Sequence, residues 1–478
     1  MRMLRDRWPQ RRRLVAAILL LIGVGGCASV APDAAFEDAK QVAADRLGKT
    51  VQWNRGSDAD TAAAAAVTAL LQKPLSEDAA VQIALLNNRD LQASYEELGI
   101  AQADLVQAGL LQNPVFSAEL LRGGGTTKYT FGVVEDFLKL LTLSADRRIA
   151  ESELQRAKLM VGDRVLGLAA SVRAAYYRAA ADSHLVELLQ QDLTAAQAAA
   201  ELSERQRLAG NATPREQTVR QLAYARATAD LARAEMQATG DREALNRLLG
   251  LWGADTDWNL PDRLPEVPDG RPALSGLEAL AVSRRLDLAA SQAALQSATQ
   301  ALQLGDQTRF LSLLGIGIGY ERDGDQRLKG PKLEIGLPLF DQGQARTARL
   351  QAEQRRRAQQ LAGRAIDIRS EVREAWQRLT GTQAMALHYR DVVLPLYERL
   401  MAEQQRQYNG MLIGIYDLLQ GKREQLEAVR GQLDAARDYW IARADLERAI
   451  GGPLPAASEP GDSKLPAPPA APPAAHHH

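Results

Sequence analysis

The chain has a single cysteine, Cys27, in 478 residues. No intrachain disulfide can form, and no thiol remains for catalysis deeper in the chain. Histidine is scarce too: His184, His388 and the terminal run His476-His477-His478 are all there is. The terminal run lacks the further ligands and rigid frame that a metal site needs, so it reads as a tag remnant or an incidental feature. Aromatic residues are only 5% of the chain, too few to imply an ordinary compact globular core. There is no basic surplus either. The formal net charge is −1, and residues 1–26 hold six arginines and Asp6, so removing that +5 leaves −6. Nucleic-acid binding has no electrostatic support. No glycine loop placed to cradle phosphate and no enzymatic constellation appears, so no catalytic residue is assigned.

Long hydrophobic runs are also missing. The longest begins the chain: Arg2, Arg5, Arg7 and Arg11 to Arg13 precede the apolar stretch Leu14–Val24, and Val24-Gly25-Gly26 leads to Cys27. That stretch is shorter than the ~20 residues of a membrane-spanning helix. It reads as an export signal over 1–26, of the bacterial lipoprotein kind, with cleavage before Cys27 and acylation of its thiol and new amino terminus. No other cofactor is expected. Ala28 and Ser29 follow, not the aspartate associated with inner-membrane retention, so the anchor is expected in the outer membrane. At the far end, the Pro- and Ala-rich segment 452–478 buries too little to fold and is expected to be a disordered tail.

What the chain does have is a long internal repeat. Val172, Arg173, Ala175 and Arg178 return as Val372, Arg373, Ala375 and Arg378, Gly210 as Gly410, and Leu249-Gly250 as Ile450-Gly451. Upstream, Ile83-Ala84 and Asp90-Leu91 answer Leu280-Ala281 and Asp287-Leu288. A period near 200 residues means two copies of a large helical unit, not a short-period solenoid.

Each copy reads helix, two strands, long helix, turn, shorter helix. After a lipid-anchored N-terminal linker over 27–75, repeat 1 is expected over 76–250 and repeat 2 over 275–451, joined by a linker over 251–274. The leading helices fall over 76–111 and 275–309. The hairpins fall over 115–137, with Arg122-Gly123-Gly124-Gly125 as its loop, and over 312–339, with Arg322–Arg327 as its loop. Leu314, Ile316, Ile318 and Tyr320 alternate with Gly315, Gly317, Gly319 and Glu321, as a barrel wall between lipid and water requires. A soluble hairpin packed on helices gives the same alternation. The long helices are expected over 144–209 and 344–409, each ~100 Å long, a reach that survives only by packing along its length. Both end at a glycine, Gly210 or Gly410, read as left-handed terminators. Return helices follow over 214–250 and 414–450, the first opened by the capping box Thr213-Pro214-Arg215-Glu216.

This order resembles the TolC-like outer-membrane factors. The resemblance covers nearly all of 76–451 and is carried by Ala84-Leu85-Leu86-Asn87-Asn88-Arg89-Asp90-Leu91, Ala108-Gly109-Leu110-Leu111-Gln112-Asn113-Pro114, Gly336-Leu337-Pro338-Leu339-Phe340-Asp341-Gln342-Gly343, and Tyr408-Asn409-Gly410 ahead of Leu418-Leu419. It implies a mainly α chain with a small β part. Its homotrimer would close a twelve-stranded transmembrane β-barrel, continued into a long α-helical barrel in the periplasm. One chain's four strands leave open edges, which lipid forbids, and three copies remove them. The implied function is a passive efflux duct in the outer membrane, lipid-anchored and with most of its mass in the periplasm. Its implied partners are a periplasmic adaptor (membrane fusion) protein and an inner-membrane pump of the RND type.

By the same resemblance the helix tips form the gate and the adaptor's docking surface. Asp417 is the candidate charged constriction, with Tyr416, Met411 and Ile415 as a steric plug. Alternatively Asp417 caps its helix or pairs with Arg423. Arg207, Gly210, Thr213, Arg215, Tyr408, Gly410, Gln420 and Arg423 mark the two tip turns, and ion pairs of Arg207 and Arg215 would hold the tips together. Gln420 stands where the family often places an aspartate. The rival function is a lipid-anchored periplasmic coiled coil of structural or adhesive type, without a pore. An adaptor is disfavoured, because adaptors carry one helical hairpin and this chain carries two.

Overall fold

The computed structural model describes residues 33–455 except 124–125, 262, 271–272, 312 and 324. The expected signal, Cys27, and the tail from residue 456 onward lie outside the described residues. Among them, no helix is long and apolar enough to cross a membrane.

The segment expected as a linker holds two helices, α1 (Asp33–Leu47) and the alanine-rich α2 (Asp58–Leu71). Repeat 1 contains α3 (Glu77–Asn87), α4 (Arg89–Ala108), β1 (Val115–Gly123), β2 (Thr126–Asp136), α5 (Phe137–Leu208) and α6 (Pro214–Leu249). Repeat 2 contains α7 (Leu277–Arg284), α8 (Leu286–Gln307), β3 (Leu314–Asp323) and β4 (Gln326–Ile335). It continues with α9 (Gln344–His388), a π-helical turn (Tyr389–Val393), α10 (Leu394–Asn409) and α11 (Ile415–Ala449). The repeats are not the compact bodies. One unit gathers both hairpins with 96–157 and 296–354; the other gathers 38–95, 158–295 and the chain from 355 onward.

Four differences from the sequence expectation have physical causes. Each leading helix is two helices, because Asn88 and Arg285 take extended backbone with ψ of 123° and 120°. Both breaks serve the end of a return helix, whose last carbonyls lack intrahelical partners. Asn87 donates to Leu249 O (3.1 Å) and Gly250 O (2.8 Å), and Asn88 donates to Leu248 O (2.9 Å). In repeat 2 Arg285 donates to Ala449 O (3.2 Å), while Arg46 of α1 donates to Gly451 O (2.7 Å) and Arg284 O (2.8 Å). Asparagine does in one copy what arginine does in the other.

The second difference is that α5 begins at Phe137, not near 144. Asp136 accepts from Leu138 N (3.0 Å) and Lys139 N (3.4 Å), capping a helix that starts where β2 stops. In repeat 2, Pro338 and the left-handed Gly343 (φ 76°) keep the corresponding stretch out of helix. Third, the hairpins are tight: β3 and β4 pair as far as Asp323↔Gln326, so most of the expected loop 322–327 is strand. Fourth, the π turn interrupts the long helix of repeat 2 just ahead of Pro395, whose ring clashes with the carbonyl four residues back.

The sheet has the order β1-β2-β3-β4, antiparallel throughout. The register sorts its side chains onto two faces. Phe116↔Val133↔Ile318↔Pro331 and Ala118↔Phe131↔Tyr320↔Lys329 are rows of one face. Ser117↔Gly132↔Gly319↔Gly330 and Glu119↔Thr130↔Glu321↔Leu328 are rows of the other. The first face leaves Phe116 65% and Ile318 70% exposed. The second carries the ion pairs Lys128–Glu321 (2.8 Å) and Lys332–Glu334 (2.6 Å). On this face a Cβ on Gly317 would meet the Val133 backbone and one on Gly132 would lie 2.8 Å from Ser117 Oγ, whereas one on Gly330 would meet nothing within 4 Å.

In the larger unit the repeated residues are core. Val172 and Val372 are fully buried, and Ala175 and Ala375 nearly so. Leu288, Ile368, Val372, Leu379, Leu446 and Ile450 form one cluster, with Ala435, Ala442 and Ala449 letting α11 approach closely.

Candidate functional site

Within the larger unit, the ends of α5 and α6 and of α10 and α11 form two turns. At the first, Gly210 is left-handed (φ 79°), Gly210 N donates to Arg207 O (3.0 Å) and Asn211 N to Gln206 O (2.7 Å). This pair of bonds is a Schellman stop. Thr213 then opens α6 with its Oγ1 accepting from Glu216 N (3.2 Å), while the Glu216 carboxylate accepts from Thr213 N (2.7 Å).

The second turn makes the same stop one residue later. Met411 N donates to Tyr408 O (2.9 Å) and Leu412 N to Gln407 O (2.8 Å). The left-handed residue is therefore Met411 (φ 60°), and Gly410 sits at φ −82°. The expectation of Gly410 as the left-handed terminator is corrected. The cause is the π turn, which inserts one residue into the helix. Before it the repeat spacing is 200 (Val172 and Val372); after it the spacing is 201 (Gly250 and Gly451, φ 68° and 76°). Met411 is 92% exposed and Leu412 78% exposed, so two large apolar side chains stand free at this tip.

The tips of the two repeats are tied together by contacts other than those expected from the sequence. Tyr416 Oη donates to Gln206 Oε1 of α5 (2.7 Å), and the Arg220 guanidinium of α6 lies 4.3 Å from the Tyr416 ring centroid. Arg423 of α11 pairs with Asp192 of α5 (3.3 Å). No single sequence signals pairs more than 200 residues apart such as Gln206 and Tyr416. Gly421 is buried beneath Gln404, where any Cβ would collide with the amide.

Asp417 is exposed, and its Oδ2 accepts from Gly414 N (3.0 Å), capping α11. Its alternative partner Arg423 is engaged by Asp192. Ile415 and Tyr416 are half-buried, and Gln420 donates to Glu424 (3.0 Å). Arg207 and Arg215 are exposed, and among the described residues neither makes an ion pair within the chain. Tyr408 contributes its carbonyl to the second turn.

Further along the same unit, Asp182 of α5 shares a hydrogen bond with Asp241 of α6. Burial, then that bond and the Asp241 charge, push Asp182 up to about 7. Burial works upward on Asp241 too, but hydrogen bonds from Asp182 and Gln237 outweigh it and hold Asp241 below the usual carboxylate range. A cavity of about 520 Å³ lies nearby in sequence terms, lined by His184, Glu187, Arg263, Glu266 and Arg390. His184 Nε2 is 3.2 Å from Pro261 O, a structural contact. Among the described residues no three His, Cys, Asp or Glu side chains are grouped to hold a metal ion.

Comparison with known proteins places this architecture. No family model matches the chain. It is similar to the cobalt-zinc-cadmium resistance protein CzcC of Cupriavidus metallidurans, 25% identical over 392 residues, covering 79% of this chain and 90% of that protein. Its fold is similar to the Campylobacter jejuni CmeC outer membrane channel, with a TM-score of 0.68 at 14% identity over 80% of this chain and 87% of the other. It is also similar to the open state of the Neisseria gonorrhoeae MtrE outer membrane channel, with a TM-score of 0.65 at 19% identity over 78% and 88%.

Proposed function

We propose that the chain is a TolC-like outer-membrane efflux channel, three copies of which close the β1 and β4 edges into one barrel and act as a passive duct. The observation that carries this reading is the open four-stranded sheet with an exposed apolar face. Each edge presents unpaired backbone groups, which hydrocarbon does not tolerate. In the order β1-β2-β3-β4, β4 runs opposite to β1, so β4 of one copy meets β1 of the next as an antiparallel pair. The apolar face turns to lipid, and the face with Glu119, Lys128, Glu321, Lys332 and Glu334 lines the bore.

Cys27 carries the lipid that fixes the N-terminus to the outer membrane. The tip turns around Gly210 and Met411 receive a periplasmic adaptor protein, and through it an RND-type inner-membrane pump. Exposed Met411 and Leu412 supply apolar contact, and exposed Arg207 and Arg215 supply charge. Asp417, repeated three times around the axis, narrows the tip electrostatically, while the Tyr416–Gln206 and Arg220–Tyr416 contacts hold the repeats together there. Opening breaks these contacts, each worth about 0.5–1.5 kcal/mol, a scale suited to a reversible gate. Divalent metal cations are the proposed cargo, after the likeness to CzcC and the acidic balance of the bore.

The test is an outer-membrane fraction run unheated and heated on a gel, followed by planar-bilayer recording. A heat-dissociable trimer with a conductance supports the duct. A soluble periplasmic monomer without conductance supports the pore-free coiled coil. Cobalt, zinc and cadmium sensitivity of a deletion strain tests the cargo.

A further inference from the structure

The sheet leaves two strand edges open, and each is marked at its centre. Gly336 N donates to Leu313 O (3.1 Å), and these two residues continue the register in which Leu314 faces Ile335. In an antiparallel ladder, opposed residues alternately exchange hydrogen bonds and turn their backbone groups away from each other. From Gly336 onward the even residues of β4 therefore bond to β3. Arg327, Lys329, Pro331, Leu333 and Ile335 turn their backbone groups to the open edge. The registers of β3 on β2 and of β2 on β1 run without a bulge. The same alternation carried across them turns Phe116, Ala118, Leu120 and Arg122 to the open edge of β1.

Pro331 is the middle one of the five residues on the β4 edge, and it has no N–H to offer. Sheets confine proline to edge positions of this kind, so its place agrees with the alternation. Glu119 is the middle residue of β1 and is exposed. Its backbone bonds to β2 opposite Thr130.

These two centres decide which edges can join. A two-fold pair of like edges sets a strand against its own copy, so each fault is met twice. Two β4 edges paired across Pro331 lose two hydrogen bonds, one from each copy. Two β1 edges in full overlap bring the two copies of Glu119 directly opposite, in a pair that exchanges no hydrogen bonds. Side chains come closest in such pairs, and like charges there repel. A β4 edge on a β1 edge loses one hydrogen bond at Pro331. It sets Glu119 against a face of β4 that carries one acid, Glu334, and one base, Lys332. Only this unlike pair repeats in one rotational sense and closes a ring; a like pair closes on itself as a dimer.

We propose that Pro331 and Glu119 together exclude pairing of like edges, so that the partner accepted by β4 is the β1 edge of a second copy of this chain. Both residues act within the ring of three copies proposed above, and their role adds to that reading which contacts the edges refuse.

The experiment uses the full-length protein extracted in mild detergent, with mass measured by light scattering and dissociation followed on an unheated-to-heated gel series. Wild type is expected to be trimeric without dimer. Glu119→Gln combined with Pro331→Val removes both faults and is expected to raise the dimer-to-trimer ratio about tenfold, the effect of two restored hydrogen bonds. Pro331→Val alone restores one bond at each seam and is expected to raise the temperature at which the trimer dissociates. Should the double variant fail to assemble, Glu119→Gln and Glu119→Lys are compared: the first is expected to give dimer, and the second, which keeps like charges opposed, is not. A double variant as wholly trimeric as wild type, equal dimer fractions in the Gln and Lys variants, or an unchanged or lowered dissociation temperature in Pro331→Val would overturn the exclusion and leave the duct standing. Wild-type protein that is itself monomeric or dimeric would overturn the duct reading and the exclusion with it.

Discussion

Met411 holds in the second repeat the left-handed position that Gly210 holds in the first, displaced by one residue through the π turn at Tyr389–Val393. A residue with a Cβ is strained at that backbone angle by about 1–2 kcal/mol. Met411→Gly is therefore expected to stabilise the second tip by about 1 kcal/mol, read as a rise in the chemical-denaturation midpoint. If Met411 is part of the plug, its conductance will rise together with its stability.

The π turn also sets a close contact. A Cβ on Gly431 would lie 2.6 Å from the Tyr389 ring, so Gly431→Ala is expected to destabilise by about 1–3 kcal/mol. Tyr389→Ala combined with it should recover much of that loss, and a double-mutant cycle measures how much.

At the tip, Tyr416→Phe removes the bond to Gln206, and Arg220→Ala removes the cation over the ring. Both are expected to raise open-channel conductance, the double variant most, while trimer assembly stays intact. Unchanged conductance in the double variant would place the restriction elsewhere.

The carboxyl pair predicts a pH response. Asp182 binds its proton more tightly folded than unfolded, so the stability it gives is present in acid and is lost as pH rises through about 7. Asp241 is depressed, so its contribution is lost as pH falls below the ordinary carboxylate range. Arg437 pulls both carboxyls down, Arg178 pulls Asp241 down, and Asp434 pushes Asp182 up. Thermal melts are expected to fall from pH 6 to pH 8 in wild type, and to fall less in Asp182→Asn.

The bore face holds Glu119, Glu321 and Glu334 against Lys128 and Lys332, and both lysines are already paired with glutamates. Glu119→Gln is expected to shift the bilayer reversal potential toward lower cation preference. An unchanged potential would assign selectivity to the tip.

The order of elements was legible because its signals are local: capping at Thr213, alternation from Leu314 to Glu321, and matched residues two hundred positions apart. The spacing change from 200 to 201 was also in the sequence, but only geometry ties it to a widened turn ahead of Pro395. The breaks at Asn88 and Arg285 were hidden, since each exists to close a helix end about 160 residues away. The ties of Tyr416 and Arg423 were hidden for the same reason. The charge division of the sheet needed the register of all four strands, which alternation within one strand does not supply.

The row Ser117, Gly132, Gly319 and Gly330 puts almost nothing but main chain on the inner wall at one level of the sheet. Repeated around a closed wall, it makes a smooth collar whose width is fixed by strand count and not by rotamers. Cargo would slide past it without a foothold. A single large side chain introduced there would appear three times at one height, making that collar the place where a blocked version of this conduit is most simply built.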